Sequence, residues 1–381
     1  MNLIEPPYPH VSVFDRSSRI RLLLVGRGPG QMLHGVATGT IPADPRPVPG
    51  GDLAVGADEP QEGSPAPWRS GVVTPSLVLT PKGRIVTDLR LLKLAPGPEG
   101  TFLLDLPSAG SGPLLAHFTR YLPPRMARPV DLSAASGMLT VVGPEAATLL
   151  ESALGAAGGS GVPSLAAMTP GEARLRGMPS GLEAPGGEVP SEPGAAFLAV
   201  IRNADVAPPA FDVIGTPDEL AILEPRLREA GAAAAEASLW HALRIERGTP
   251  ETGQELDEGI LPPEAGLETT HIDHTKGCYT GQEVIVRIRD RGHVNRHLRG
   301  LLLGDHPAPM AGTSLWIDGR EKEVGEVRSG AWSPRYRQWI ALAYLRREVE
   351  PGSRVRVGAP GGPEARVRAL GSDGWGEDMA S

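Results

Sequence analysis

Residues 276–283 read Lys-Gly-Cys-Tyr-Thr-Gly-Gln-Glu and hold the single cysteine of the chain, Cys278. A thiol becomes a strong nucleophile only after losing its proton, and a neighbouring ammonium favours that loss. Lys276 stands two positions before Cys278, so an extended backbone would place both side chains on one face. A helix starting at Gly281-Gln282-Glu283 would add its N-terminal amides to the same effect. Gly277 and Gly281 permit positive φ and close approach of a ligand. Tyr279 can stack or hydrogen-bond near a ligand, and Glu283 can cap a helix or pair with Lys276. The spacing predicts an activated, positioned sulfur. Composition alone favours a plainer reading, a small buried hydrophobe, which is the commoner fate of a lone cysteine.

Other residue types invite chemistry with less force. Arg244, Glu246 and Arg247 end a predicted helix. Arginine forks suit carboxylates, but basic residues also favour any helix C-terminus. Arg287, Arg289 and Arg291 alternate, with Arg296 and Arg299 behind them. In a strand the first three would line one face, a positive stripe for an anionic partner or simply a solvated face. His271, His274 and Cys278 are ligand types at i, i+3 and i+7, yet three such residues supply no fourth ligand. No metal site is assigned.

These residues sit in a chain of 381 residues, long enough for two or three domains. One cysteine excludes an internal disulfide and cannot supply the usual thiolates of an iron–sulfur cluster. The N-terminus lacks a secretory pattern, and no apolar run could span a bilayer, so a cytoplasmic protein is expected, with no membrane partner. A formal charge of -8 argues against nucleic acid as a partner.

The elements that must position the motif follow from apolar periodicity and turn residues. Strands are predicted at Arg19–Gly26, Thr101–Leu106, Met138–Val142, Ala195–Ile201 and Phe211–Ile214. Helices are predicted at Pro29–Gly39, Pro113–Tyr121, Glu145–Leu154, Pro217–Ala230 (N-capped by Thr216) and Ala233–Glu246. Val72–Leu94 predicts a β-hairpin around Pro81-Lys82-Gly83. Residues 41–70 and 155–194 are rich in Pro and Gly without apolar period, and predict insertions. From Leu298 short alternating strands predict a small antiparallel barrel over 298–370, followed by a frayed tail, 371–381.

The stretch Arg244–Arg299, with its Lys-Gly-Cys-Tyr-x-Gly-Gln-Glu signature at 276–283, resembles the YgfZ family, relatives of the glycine-cleavage T-protein (aminomethyltransferase). GQMLHGVATGTI at 30–41, LTPKGRIVTD at 79–88 and EVGEVRSGAWSPRYRQWIALAYLRR at 323–347 extend the resemblance over most of the chain. It implies an α+β fold, a three-part cloverleaf of the T-protein type. Residues 1–297 would form a folate-binding α/β region of two subdomains, and 298–370 the C-terminal antiparallel β-barrel.

The resemblance also implies a central channel for tetrahydrofolate and a role in assembling or maintaining 4Fe–4S clusters, with iron–sulfur enzymes or cluster-assembly proteins as partners. Aminomethyl transfer, or a folate-binding scaffold without catalysis, are the alternatives. Asp88 matches the hairpin's acidic site in T-proteins, beside Thr87 where those usually carry a second acid; otherwise it is an aspartate solvating a strand end. Cys278, Lys276 and Asp88 are the implied catalytic residues. Asp88, Arg202, Arg244, Tyr279, Gly281, Gln282 and Glu283 are the implied folate contacts. One departure stands out: Arg202 is followed by Asn203-Ala204-Asp205, where T-proteins usually carry Tyr-Thr-Gly-Glu. The pterin-gripping glutamate is missing, unless Asp205 substitutes with a shorter reach.

Overall fold

The computed structural model describes residues 8–48, 67–97, 100–155, 164–177 and 197–371. The chain opens with β1 (Ser12–Asp15) and β2 (Ile20–Val25), then α1 (Pro29–Val36), begun by a proline whose missing N–H costs a helix nothing in its first turn. A short β3 (Arg46–Pro47) pairs with the start of β4 (Arg69–Leu79). β4 and β5 (Ile85–Lys93) form the predicted hairpin. Gly83 holds φ at 72° in its turn, a value that suits glycine. Next come β6 (Phe102–Leu106), α2 (Ser108–Tyr121), β7 (Arg128–Asp131), β8 (Gly137–Val142) and α3 (Ala146–Gly155). β9 (Glu172–Gly177), β10 (Phe197–Asn203), β11 (Ala210–Gly215), α4 (Pro217–Glu229), β12 (Ala233–Ala234), α5 (Ala237–Arg247) and α6 (Gln282–Arg291) complete the first region.

A twelve-stranded sheet runs β12-β1-β8-β11-β10-β9-β4-β5-β6-β2-β7, with β3 beside β4. β4 joins its two halves: Arg69–Val72 pair with β9, and Val73–Leu79 pair with β5. One core, including Leu23, Leu103, Leu175 and Phe197, draws residues from both halves. A second, including Leu24, Leu33, Leu104 and Phe118, lies under α1 and α2, and a third, including Val141, Leu150, Val213 and Leu227, under α3 and α4. The strands β13 (Arg296–Gly304), β14 (Ser314–Trp316), β15 (Gly325–Ser333), β16 (Gln338–Arg346), β17 (Arg354–Val357) and β18 (Glu364–Arg368) close into a barrel in the order β13-β16-β15-β14-β17-β18. Two half-sheets and a barrel make the three parts of the expected architecture.

Thr216 caps α4: its hydroxyl accepts from the Glu219 amide, and the Glu219 carboxylate accepts from the Thr216 amide. Other expectations are corrected. α2 begins at Ser108, not Pro113, although two serines and two glycines, weak helix formers, stand among the five residues before that proline. Packing explains it: a Cβ on Gly110 would stand 2.0 Å from Thr87 Oγ1, so only glycine lets the helix lie this close to β5.

The expected helix from Ala233 starts at Ala237, because Ala233–Ala234 instead pair in parallel with β1. Arg287, Arg289 and Arg291 lie on α6, not on a strand. At about 100° per residue Arg289 points away from the other two, so the single-faced stripe does not form. β9 lies inside the predicted 155–194 insertion, and β3 and the first residues of β4 lie inside 41–70. Residues 49–66, 156–163 and 178–194 of the two insertions, and the tail beyond residue 371, lie outside the described residues.

Candidate functional site

A cavity of about 520 Å³ lies where the hairpin, the end of α5 and the barrel meet. β5 contributes Asp88 and Arg90, the turn after β1 contributes Arg16 and Arg19, and the loop after β10 contributes Asp205. α5 adds Trp240, Arg244 and Arg247, the loop before α6 adds His271, and β13 adds His297 and Arg299.

The floor is an ionic lattice built from strand registers. Arg90 sits directly across from Asp105 on β6, and Thr140 on β8 directly across from Asp212 on β11. Arg19 grips Asp105 with two donors, Nε at 2.8 Å and Nη2 at 3.0 Å. Arg90 Nε donates to the same carboxylate at 2.7 Å, and its Nη1 reaches Asp212 at 2.6 Å. Asp212 also accepts from Thr140 at 2.6 Å and from Asn203 Nδ2 at 2.7 Å. Burial alone would raise both carboxyls, but Arg19 and Arg90 hold Asp105, and Arg90 and Arg16 hold Asp212, below the usual range. Arg90 thus ties the strand carrying Asp88 to the segment carrying Asp205.

Asp88 behaves oppositely. Its Oδ1 accepts from the Thr252 amide at 3.0 Å and from the Thr252 hydroxyl. Burial nonetheless dominates and raises its carboxyl, with Glu251 pushing the same way. Above the floor, the Arg16 guanidinium lies 3.7 Å from the Trp240 ring centre, and its buried Nη1 makes no hydrogen bond. Burial, then Arg19, bring Arg16 down to about 10, which leaves it charged at neutral pH. Burial takes His271 down to about 4 and lowers His297 also, so both imidazoles are neutral at pH 7.

Arg244 belongs to the wall, where Nη1 donates to Glu255 at 2.8 Å and to the Thr249 carbonyl at 2.6 Å. Its fork is therefore occupied by the protein. Arg202 lies elsewhere, in a second cavity of about 610 Å³, its Nη1 donating to the Ala210 carbonyl at 2.9 Å. The expected residues of the cysteine motif do not line the first cavity.

The motif instead packs against α1 and the hairpin turn. Lys276 Nζ donates to the carbonyls of Ala37 (2.7 Å) and Gly39 (3.1 Å) and sits 5.7 Å from the Tyr279 ring centre. Of the two roles open to Glu283, pairing with Lys276 does not form, and burial lowers the Lys276 ammonium to about 8. The Thr280 amide donates to Gly35 O, and Gly281, at φ 85°, leaves no room for a Cβ, which would stand 2.6 Å from the Thr80 carbonyl. α6 begins at Gln282 as expected, with Glu283 in its first turn. Tyr279 is buried, and Cys278 is exposed, which overturns the buried-hydrophobe reading. His271, His274 and Cys278 do not converge: His271 lines the cavity while His274 bonds the Glu268 carbonyl.

The lattice of Arg19, Arg90, Asp105 and Asp212 escaped the sequence reading, although a signal existed. Asp105 interrupts Phe-Leu-Leu-Asp-Leu and Asp212 interrupts Ala-Phe-Asp-Val-Ile. A charge inside an otherwise apolar strand demands a buried partner.

Residues 296–370 match the glycine cleavage T-protein C-terminal barrel domain. The chain is 30% identical over 256 residues to an aminomethyltransferase of Rubrobacter xylanophilus, covering 67% of this chain and 62% of that protein. Much of the chain is thus similar in sequence to glycine-cleavage aminomethyltransferases. An aminomethyltransferase of Nostoc sp. is 32% identical over 176 residues, 46% of this chain and 44% of that one. The matched part thus spans less than two thirds of either T-protein relative. The crystal structure of the glycine cleavage system aminomethyltransferase T from Bartonella henselae superposes with a TM-score of 0.70 at 18% identity, over 96% of this chain and 86% of that one, so the T-protein-type fold is shared.

Proposed function

We propose that this chain binds tetrahydrofolate in the first cavity and supports aminomethyl transfer there, with Asp88 as the carboxylate beside the reacting nitrogens. The observation that carries the reading is Asp88 itself, a raised carboxyl on the cavity wall, anchored on one oxygen by Thr252. The similarity to aminomethyltransferases points the same way.

The cavity's residues fit such a molecule. A volume of about 520 Å³ is within the range of cofactor sites. Asp88 and Asp205 offer acceptors for the N–H groups of a pterin. Asp205 is held in place by its own amide donating to Asn203 Oδ1 at 2.6 Å, which makes it the substitute for the missing glutamate. Arg247 and Arg299 have no carboxylate partner among the described residues, and they suit the carboxylates of a glutamate tail. Tetrahydrofolate supplies ring nitrogens that accept a one-carbon unit. Asp88, raised by burial, exchanges a proton closer to neutral pH than an ordinary aspartate and stabilises positive charge beside it.

The test is turnover of an aminomethylated lipoyl carrier with tetrahydrofolate, followed as methylene-tetrahydrofolate. Wild type should react, and Asp88→Asn should lose about a hundredfold or more, the usual scale for a general acid or base. An inert wild type that still binds tetrahydrofolate would leave the scaffold reading in its place.

A second reading rests on the exposed thiol. Cys278 lies on the surface within the YgfZ-type signature, outside the folate cavity. It fits a role in which iron–sulfur enzymes or cluster-assembly proteins meet the thiol. Loss of 4Fe–4S enzyme activity on deletion, restored by wild type and not by Cys278→Ala, would support it; full restoration by Cys278→Ala would remove it.

A further inference from the structure

We propose that Arg16 reads the 4-oxygen of a bound pterin, and so makes the first cavity selective for 2-amino-4-oxo pterins over their 4-amino analogues. This rests on the folate reading and adds a specificity-determining residue to it.

Arg16 is only 7% exposed, yet it lines the cavity with its donors unspent. Its Nη1 is buried without a hydrogen bond, and among the described residues none of its side-chain nitrogens donates to the protein. The Asp212 carboxylate lies 3.9 Å from Nη1, an ion pair beyond hydrogen-bond reach. That carboxylate is already filled by Arg90, Thr140 and Asn203. The residue is nonetheless held in place. Its amide donates to the Met138 carbonyl at 2.9 Å, and its own carbonyl accepts from the Arg19 amide at 3.1 Å. The guanidinium rests on the Trp240 ring, which Phe14 braces edge-on at 5.7 Å. A guanidinium carries five N–H donors, and burying them unmet is costly. The acceptor that completes Arg16 has to come from the cavity.

Asp205 indicates which acceptor. Its charge acts on Arg16 across the cavity wall. Arg90 also approaches Asp205, at 3.9 Å, but all three of its nitrogens already donate to Asp105 or Asp212. Arg16 keeps its donors. The edge of a 2-amino-4-oxo pterin presents two N–H donors followed by an oxygen. A carboxylate takes the two donors, and a cation beside that carboxylate takes the oxygen. A 4-amino group turns that oxygen into a donor, which would face the N–H groups of Arg16 and leave them unmet.

The test compares dissociation constants of tetrahydrofolate and its 4-amino analogue on the full chain, for wild type, Arg16→Met and Arg16→Gln. Wild type should prefer tetrahydrofolate about tenfold or more, the scale of a hydrogen bond to a charged group. Arg16→Met keeps an apolar stem on Trp240 and should shrink the preference about tenfold. Arg16→Gln keeps a neutral donor, should shrink it about threefold, and serves if the methionine variant does not fold. Reading each preference within one protein removes any general loss of affinity. Equal affinities on wild type, or an undiminished preference in a folded variant, would overturn the role of Arg16 and leave the folate cavity standing. Binding of neither ligand to wild type would overturn the folate reading, and this inference with it.

Discussion

The amide and hydroxyl of Thr252 both converge on one oxygen of Asp88, across a gap of 164 positions in the chain. The loop after α5 therefore sets the orientation of a carboxylate that the hairpin supplies. Thr252→Val should remove the hydroxyl donor, which lowers the Asp88 carboxyl, and so raise that carboxyl further. The expected cost is about 1 kcal/mol of stability by denaturant titration. The Asp88 carboxyl resonance should titrate at higher pH than in wild type, and an unmoved midpoint would contradict the coupling.

The pH dependence of stability should carry two opposite signs. Asp88 and Glu246 are raised in the folded chain, chiefly by burial, so their contribution is complete below the ordinary carboxylate range and is lost as pH climbs through their folded values. Asp105 and Asp212 are depressed, so theirs is present above that range and is lost as pH falls towards their folded values. Denaturant midpoints should fall steeply below about pH 4. Asp105→Asn should flatten that acid limb while costing about 3–5 kcal/mol at pH 7, since Arg19 and Arg90 lose a buried partner.

Gly110 is the contact point between α2 and the strand next to Asp88. Gly110→Ala places a methyl 2.0 Å from Thr87 Oγ1 and should cost about 1–3 kcal/mol by displacing the helix. Gly112→Ala meets nothing within 4 Å and should be neutral or stabilising by up to about 1 kcal/mol. Calorimetric melting of the two variants side by side distinguishes a packing constraint from a general intolerance of the segment.

An aromatic disulfide reagent should titrate Cys278 in the native protein at one thiol per chain, because the residue is exposed. Cys278→Ser should leave stability within about 0.5 kcal/mol. A thiol that reacts only after denaturant is added would contradict its placement.

What the sequence disclosed followed local chemistry. The β4–β5 hairpin showed itself in Pro81-Lys82-Gly83, the α4 cap in Thr216 and Glu219, and the barrel in short alternating strands. Asp88 was visible through a family-like hairpin, and its neighbour Arg90 was not. Whether a charge in a strand meets water or a partner from a distant strand is set by register, as in Arg90 against Asp105. The same reason hid the start of α2, where Gly110 looks like a helix breaker until the strand beneath it is known. Proximity in sequence misled in the cysteine motif: Lys276 stands beside Cys278 in the chain but spends its donors on Ala37 and Gly39.

Equilibrium dialysis of tetrahydrofolate against the full chain, wild type and Asp205→Ala, is the most direct test of the proposed cavity. One tetrahydrofolate bound per wild-type chain is predicted, with affinity about tenfold or more weaker in Asp205→Ala. No binding to wild type, or equal affinity in the two proteins, would contradict the account.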